Sequence, residues 1–274
     1  MKVIIAENAG FCFGVKRAVK IALDAAKDGK VYTLGALIHN PPMVGKMSEK
    51  GVIAVDGFDG LDKKRVIIPS HGISPLVLKK IKTKVKDIID ATCPFVKKAR
   101  EEAIKLSKSC GQLIIVGDKK HPEIRGILPF LQGDVVVIKD ASELPNKSFS
   151  SCGVMAQTTM SKAIFEQVVL KASKRSKKIK IVNTICDATR KRQSSTLKLL
   201  KNVDIMIVIG GHNSANTRRL LELCIRNKKR AYQVEDETEL KKEWFKNCKR
   251  VGITAGASTP PWMIKRIREK ILSF

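Results

Sequence analysis

The chain has 274 residues, 43% of them apolar, which is enough to bury a substantial core without disulfide staples. Lys and Arg number 53 against 26 Asp and Glu, a net charge of +27 that calls for acidic partners: nucleic acid, anionic headgroups, phosphorylated substrates or an acidic protein. No apolar run approaches the roughly 20 residues of a membrane span and no export signal opens the chain, so a cytoplasmic location is expected, with the seven cysteines as thiols or metal ligands.

Val3 to Ala6 reads as a short strand. Asn8, Gly10 and Gly14 supply turn chemistry, and from Val15 to Ala25 the apolar positions recur at helical spacing. Cys12 therefore falls where a strand hands over to a helix. Backbone N–H groups at a helix start favour an anion, so this thiol can be held as the thiolate that binds metal; taken alone, it reads first as a small buried residue in a turn.

Further along, one pattern appears three times. An apolar strand ending in Gly, followed by His or a polar cluster, reads VYTLGALIHNPPMV from Val31, LIIVGDKKHPEIRGIL from Leu113 and IMIVIGGHNSANTRRLLEL from Ile205. A second strand ends in small hydroxyl residues: VIIPSHGISP from Val66, VMAQTTMSK from Val154 and VGITAGASTPP from Val251. A third leads into a cysteine, at Cys93 in IIDATCPFVKKAR, at Cys186 in IVNTICDATRKRQ and at Cys12 in the opening stretch. Gly35, Gly117 and Gly210 are 82 and 93 residues apart, and Cys12, Cys93 and Cys186 are 81 and 93 apart, so two landmarks keep one period. A basic amphipathic segment follows each cysteine, over Val15 to Ala25, Val96 to Ser107 and Thr189 to Leu200.

Strand, polar loop and helix in repetition predict an α/β fold with parallel sheets. Side chains that act in such sheets emerge at the C-terminal strand ends, so three similar units can face a common centre around a pseudo-threefold axis. The expected domains are 12–93, 94–186 and 187–274, the last completed by the N-terminal strand within 1–11.

Three cysteines from distant segments, with no CxxC pair and no fourth in register, suit an iron-sulfur cluster with one iron left open better than structural zinc. His39, His71, His121, Ser214, Asn216 and Ser258 can all donate hydrogen bonds, a ring that favours a phosphorylated ligand, and Glu123 is an acid placed among them. Each also has a structural use. The histidines can cap turns, Ser214 and Asn216 can cap a helix, Thr158 and Thr159 can end a strand, and Glu123 and Asp118 can be first-turn and loop charges. Cys110, Cys152, Cys224 and Cys248 lie outside the repeat and read as core or surface thiols. Two other classes stand beside this one: a nucleic-acid binder using the +27 charge, and an electron-transfer protein, which would need a fourth ligand.

AGFCFGVKRA, ALIHN, PSHGISP, DATCP, HPEIRG, QTTMS, NTICDATRKRQ, HNSANTRRL and TAGAS, in this order over nearly the whole chain, resemble the 4-hydroxy-3-methylbut-2-enyl diphosphate reductase family. The resemblance implies a trefoil of three α/β domains around one [4Fe-4S] cluster. It also implies a two-electron reductive dehydroxylation that yields isopentenyl and dimethylallyl diphosphates, the last step of the methylerythritol phosphate route to isoprenoids. Carried over by motif, Cys12, Cys93 and Cys186 would ligate the cluster, and Glu123, Thr158 and His121 would serve catalysis. His39, His71, His121, Thr158, Ser214, Asn216 and Ser258 would bind the substrate. Ala215 stands where many members have a second serine, so only its backbone N–H could contact a phosphate. An acidic electron carrier of the ferredoxin or flavodoxin type is the implied partner; neither membrane nor nucleic acid is required.

Overall fold

The computed structural model describes residues 1–274. In chain order the first third holds β1 (Lys2–Ile5), α1 (Phe13–Ala26), β2 (Val31–Leu34), α2 (Pro41–Glu49), β3 (Val52–Val55), β4 (Arg65–Ile68), α3 (Pro75–Lys82) and β5 (Asp87–Asp90). The second holds α4 (Pro94–Ser109), β6 (Gln112–Val116), α5 (Pro122–Ile127), β7 (Asp134–Ile138), β8 (Cys152–Ala156), α6 (Lys162–Ser173) and β9 (Ile179–Val182). The last holds α7 (Asp187–Leu200), β10 (Ile205–Ile209), α8 (Ala215–Arg226), β11 (Ala231–Val234), β12 (Arg250–Ala255) and α9 (Pro261–Leu272).

The strands form three four-stranded sheets of one topology, β3-β2-β4-β5, β7-β6-β8-β9 and β11-β10-β12-β1, with every pair parallel. The chain is thus α/β with a threefold repeat of sheet and helices. β6, β8 and β10 are buried at all five positions, as expected of parallel strands covered on both faces. The edge strands β1, β5 and β9 are half-exposed, and each leads directly to a predicted cysteine ligand. β1 pairs with β12 from Lys2↔Arg250 to Ile5↔Ile253, so the N-terminal strand completes the sheet of β10 to β12.

Each sheet also has a fourth strand, β3, β7 or β11, that the three-strand sequence pattern does not predict. These are short edge strands without a motif. Their position matters, because the chain steps from β2, β6 or β10 outward to one edge and then crosses to β4, β8 or β12 on the other side. The order reverses there, which opens a crevice at the C-terminal ends of the two central strands. The Gly-loops and the hydroxyl loops leave from those central strands.

The three helices after the cysteines start two residues earlier than the apolar periodicity predicts, at Phe13, Pro94 and Asp187. First-turn residues need not follow the core-facing period, and Pro94 supplies a preset φ where no intrahelical N–H bond is needed. Cys12, Cys93 and Cys186 are therefore each the residue immediately before a helix.

The chain divides into two compact units: Met1–Lys16, Ile38–Met47 and Asp187–Phe274 form one, and Arg17–Leu37 and Ser48–Cys186 the other. In the first, the sheet of β10 to β12 has an apolar layer on each face. One includes Ile253, Met263, Ile264 and Ile267, and the other Val208, Leu199, Leu220 and Cys224. In the second, the sheet of β6 to β9 is likewise sandwiched, by Phe165, Val168 and Ala172 on one side and by Ala103, Leu106, Ile124 and Ile127 on the other. No helix is long and apolar enough to cross a membrane.

Candidate functional site

The three cysteines share one local geometry. Each backbone N–H donates to a carbonyl in the hydroxyl loop of its own sheet: Cys12 to Ala257 at 3.1 Å, Cys93 to Ser70 at 2.9 Å and Cys186 to Thr158 at 3.0 Å. That bond extends the edge-strand pairing past the strand end and fixes where the helix begins. The sulfur of Cys12 in turn accepts from the Val15 N–H at 3.5 Å, a bond to the first turn of the helix. All three cysteines are half-buried thiols. Within neither unit do three or more His, Cys, Asp or Glu side chains stand together at metal-ligating distance; one unit holds Cys12 and the other holds Cys93 and Cys186.

By contrast, Cys152 and Cys224 are fully buried, and burial pushes both thiols up, Cys224 to about 12, as suits inert core residues. Cys248 accepts from Arg230 at 2.9 Å, well outside the repeat.

In the second unit, His71, Cys93, His121, Glu123, Thr158 and Cys186 lie along one chain of contacts. Glu123 is 3% exposed on α5, and Thr158, at the end of β8, donates to it twice: its N–H to Oε1 at 2.8 Å and its hydroxyl to Oε2 at 2.6 Å. Burial raises the Glu123 pKa, and the two Thr158 bonds, which favour the carboxylate, only partly offset it. His121 caps α5, with Nδ1 accepting from the Glu123 N–H at 3.2 Å, so in the neutral ring the proton sits on Nε2. The capping role and a ligand role are thus compatible, because the outer nitrogen is the donor. Gly126 of α5 packs on the backbone of His71 and Gly72; a Cβ there would stand 3.8 Å from the His71 carbonyl. From Ser70 the path continues to Cys93, and from Thr158 to Cys186.

His39, Ser214, Ala215, Asn216 and Ser258 lie in the first unit with Cys12. The Ser258 hydroxyl donates to the His39 carbonyl at 2.8 Å, and a Cβ on Gly211 would meet that same carbonyl at 3.3 Å, so the Gly-loop after β10 and the loop after β12 both close on His39. Burial lowers the His39 pKa below its usual 6.5, which keeps the ring neutral. Ser214 caps α8, accepting from the Thr217 N–H at 3.3 Å. Asn216 is 6% exposed, yet its Nδ2 has no partner in the protein, and the buried Thr217 hydroxyl has none either. A dry amide donor without an acceptor fits a site completed by a ligand oxygen.

The close packing of this loop depends on Gly210, at φ +141°: a Cβ there would fall 2.7 Å from the Thr217 hydroxyl and 3.0 Å from that of Thr259.

Two further residues support the geometry and escaped the sequence reading. Gln157 is fully buried; its Oε1 accepts from the Asp118 N–H and its Nε2 donates to Thr159, both at 3.0 Å, which ties the second Gly-loop to the Thr158 loop. Arg192 is 3% exposed within a run of basic residues whose neighbours face solvent. Only the motif strings around them carried a signal.

A family model described as LytB protein matches residues 3–272. Among similar proteins is a 4-hydroxy-3-methylbut-2-enyl diphosphate reductase of Geobacter metallireducens, 44% identical over 99% of this chain and 97% of the relative. One of the same name from Aquifex aeolicus is 43% identical over 98% and 95%. A solved (E)-4-hydroxy-3-methyl-but-2-enyl diphosphate reductase, described as the terminal enzyme of the non-mevalonate pathway, matches at a TM-score of 0.70 and 42% identity over the full length of both chains. The solved E-1-hydroxy-2-methyl-but-2-enyl-4-diphosphate reductase from Plasmodium falciparum matches at 0.88 and 26% identity, covering 98% of this chain and 87% of that one.

Proposed function

This chain belongs to the LytB protein family, and from that premise we propose that it reduces 4-hydroxy-3-methylbut-2-enyl diphosphate to isopentenyl and dimethylallyl diphosphates. The conversion consumes two electrons and two protons: one proton leaves with the allylic hydroxyl as water, and the other ends on carbon. Cys12, Cys93 and Cys186 are the residues that would hold a [4Fe-4S] cluster, one per chain, with the three domains 12–93, 94–186 and 187–274 grouped around it as a trefoil. The local evidence for fit is chemical: three thiols, each before a helix start and each anchored through its N–H by the neighbouring loop. When bound, such a cluster supplies electrons and one iron with an open position that acts as a Lewis acid.

The observation that carries the reading is the buried Glu123 carboxyl clasped by Thr158. A carboxyl whose pKa is raised by burial holds a proton to higher pH than a surface one, which is what a general acid for a leaving hydroxyl needs. When Glu123 is protonated on Oε2, the 2.6 Å bond must reverse, with the carboxyl O–H donating to the Thr158 hydroxyl oxygen. His121, with Nε2–H as its donor, stands one residue from Pro122 on the same helix cap and would orient the same end of the substrate.

The diphosphate would be met by side-chain and backbone donors: His39, His71, Ser214, Asn216, and the first-turn N–H groups of Ala215 and Asn216, which make no intrahelical bond. Ser258 can join them only by exchanging its bond to the His39 carbonyl. A small acidic electron carrier is the partner class that a net charge of +27 suits. Seven thiols suit the reducing cytoplasm.

Glu123→Gln keeps the shape, the bond from the Thr158 N–H and, with its direction reversed so that Nε2–H donates to the Thr158 hydroxyl, the second contact, but cannot deliver a proton. It is expected to take up iron like the parent protein while turnover drops by about 10²- to 10⁴-fold. Equal loss of iron and turnover would make Glu123 a structural residue and remove the basis of the reading.

A further inference from the structure

Arg17 in AGFCFGVKRA and Arg192 in NTICDATRKRQ belong neither to the proposed ligand set nor to the proposed substrate contacts. Neither is a solvated surface charge. Arg192 is 3% exposed on α7, the helix that starts immediately after Cys186; its Nη2 donates to the Gly10 carbonyl at 2.6 Å and its Nη1 to the Ala188 carbonyl at 3.3 Å. Arg17 is half-buried on α1, the helix that starts immediately after Cys12, and its Nη1 donates to the Thr92 carbonyl at 3.2 Å. Gly10 lies two residues before Cys12, and Thr92 one residue before Cys93.

The two contacts thus follow one rule. A guanidinium on the helix behind one predicted thiolate grips the backbone that presents another. The N–H groups of Ala9, Gly10 and Cys12 donate to the carbonyls of Ala6, Ala255 and Ala257, and Gly10 sits at φ +89° where a Cβ would meet Ile264 at 2.9 Å. That loop is thus packed by Ile264 of α9 and held by Arg192. On the second unit's side, Thr92 is 3% exposed, its N–H donates to Asp90 at 2.8 Å, and Gly72 of the His71 loop packs against its methyl group. Arginine keeps its charge however deeply it is buried, so each contact also brings a fixed positive charge to a backbone leading into a predicted ligand.

We infer that Arg17 and Arg192 are positioning residues that hold the Cys93 and Cys12 segments in ligating geometry, before the cluster is inserted and after. The link to the cluster rests on the function proposed above; the clamps themselves do not.

The test uses Arg192→Met and Arg17→Met, which keep the length of the stem and lose every donor, with Arg192→Lys and Arg17→Lys as partial restorations. Amide hydrogen exchange of the iron-free full-length proteins reads the clamps. Arg192→Met is expected to speed exchange roughly tenfold at residues 10–12 and to leave 92–93 unchanged, and Arg17→Met to do the converse. Iron release from the loaded proteins to a chelator, followed by loss of visible absorbance, reads the link to the cluster. Both Met variants are expected to lose iron several-fold faster than the parent, with the Lys variants in between.

Exchange that is unchanged at both loops, or that rises evenly across the molecule, overturns the clamps. Segment-specific exchange with unchanged iron release overturns their role toward the cluster. If Arg192→Met does not fold, the half-buried Arg17 pair decides the matter alone. A parent protein that takes up no iron refutes the function proposed above, while the exchange pattern still decides whether the clamps exist.

Discussion

Glu123 is placed where burial and hydrogen bonding pull its proton in opposite directions, and burial wins. The consequence for stability has a definite sign. Below about pH 4.5 the carboxyl is protonated in folded and unfolded chains alike and contributes no difference. As pH rises toward the raised folded value, the unfolded chain gives up the proton first, so the folded state loses stability, by at most about 1.4 kcal/mol per pH unit. Denaturation midpoints of the parent protein and Glu123→Gln, compared at pH 5 and pH 8, should therefore diverge, with the parent losing ground at the higher pH. If the parent instead gained on the variant, the two Thr158 bonds would outweigh burial and Glu123 would be an ordinary carboxylate. At this scale the sequence was informative about short polar residues in loops and silent about long ones. Thr158, His121 and Glu123 stand beside Gly, Pro and strand ends, where spacing singles them out. Arg192 and Gln157 have side chains whose burial depends on what folds over them, and a basic run reads as solvated until the packing is known.

At the scale of elements, the threefold pattern was legible because Gly and Cys occupy positions that only backbone geometry can explain. A Gly-loop must turn sharply at a strand end, as Gly210 does at φ +141°, and the cysteines mark helix starts. β3, β7 and β11 were not legible, since a four- or five-residue edge strand carries little periodicity of its own. The destination of Ile38–Met47 was hidden for a different reason. This segment follows β2 in sequence yet belongs to the unit of β10 to β12, through Ser258 on the His39 carbonyl, Asn40 against the Met263 sulfur and Lys46 over the Trp262 ring at 3.6 Å. All three partners are more than two hundred residues away, and no local pattern announces them. Its place explains why His39 keeps company with Ser214 and Asn216 rather than with the strand it follows.

For the whole molecule, a charge of +27 says more about encounter than about fold. Reduction by a small acidic carrier is expected to slow as ionic strength rises from about 10 mM to above 100 mM, where screening shortens from tens of ångströms to about 10 Å; a rate indifferent to salt would leave the excess charge without this use. The central claim, that three repeated α/β units present thiols for a cluster and donors for a diphosphate, is tested most directly by one anaerobic measurement on the parent protein: oxidation of a reduced one-electron dye on adding 4-hydroxy-3-methylbut-2-enyl diphosphate. Protein carrying about four irons per chain is expected to oxidise roughly two dye molecules per substrate, by the two-electron balance of the reaction, and iron-free protein none. Protein that takes up no iron on reconstitution, or iron-loaded protein that leaves the dye reduced, would contradict that claim.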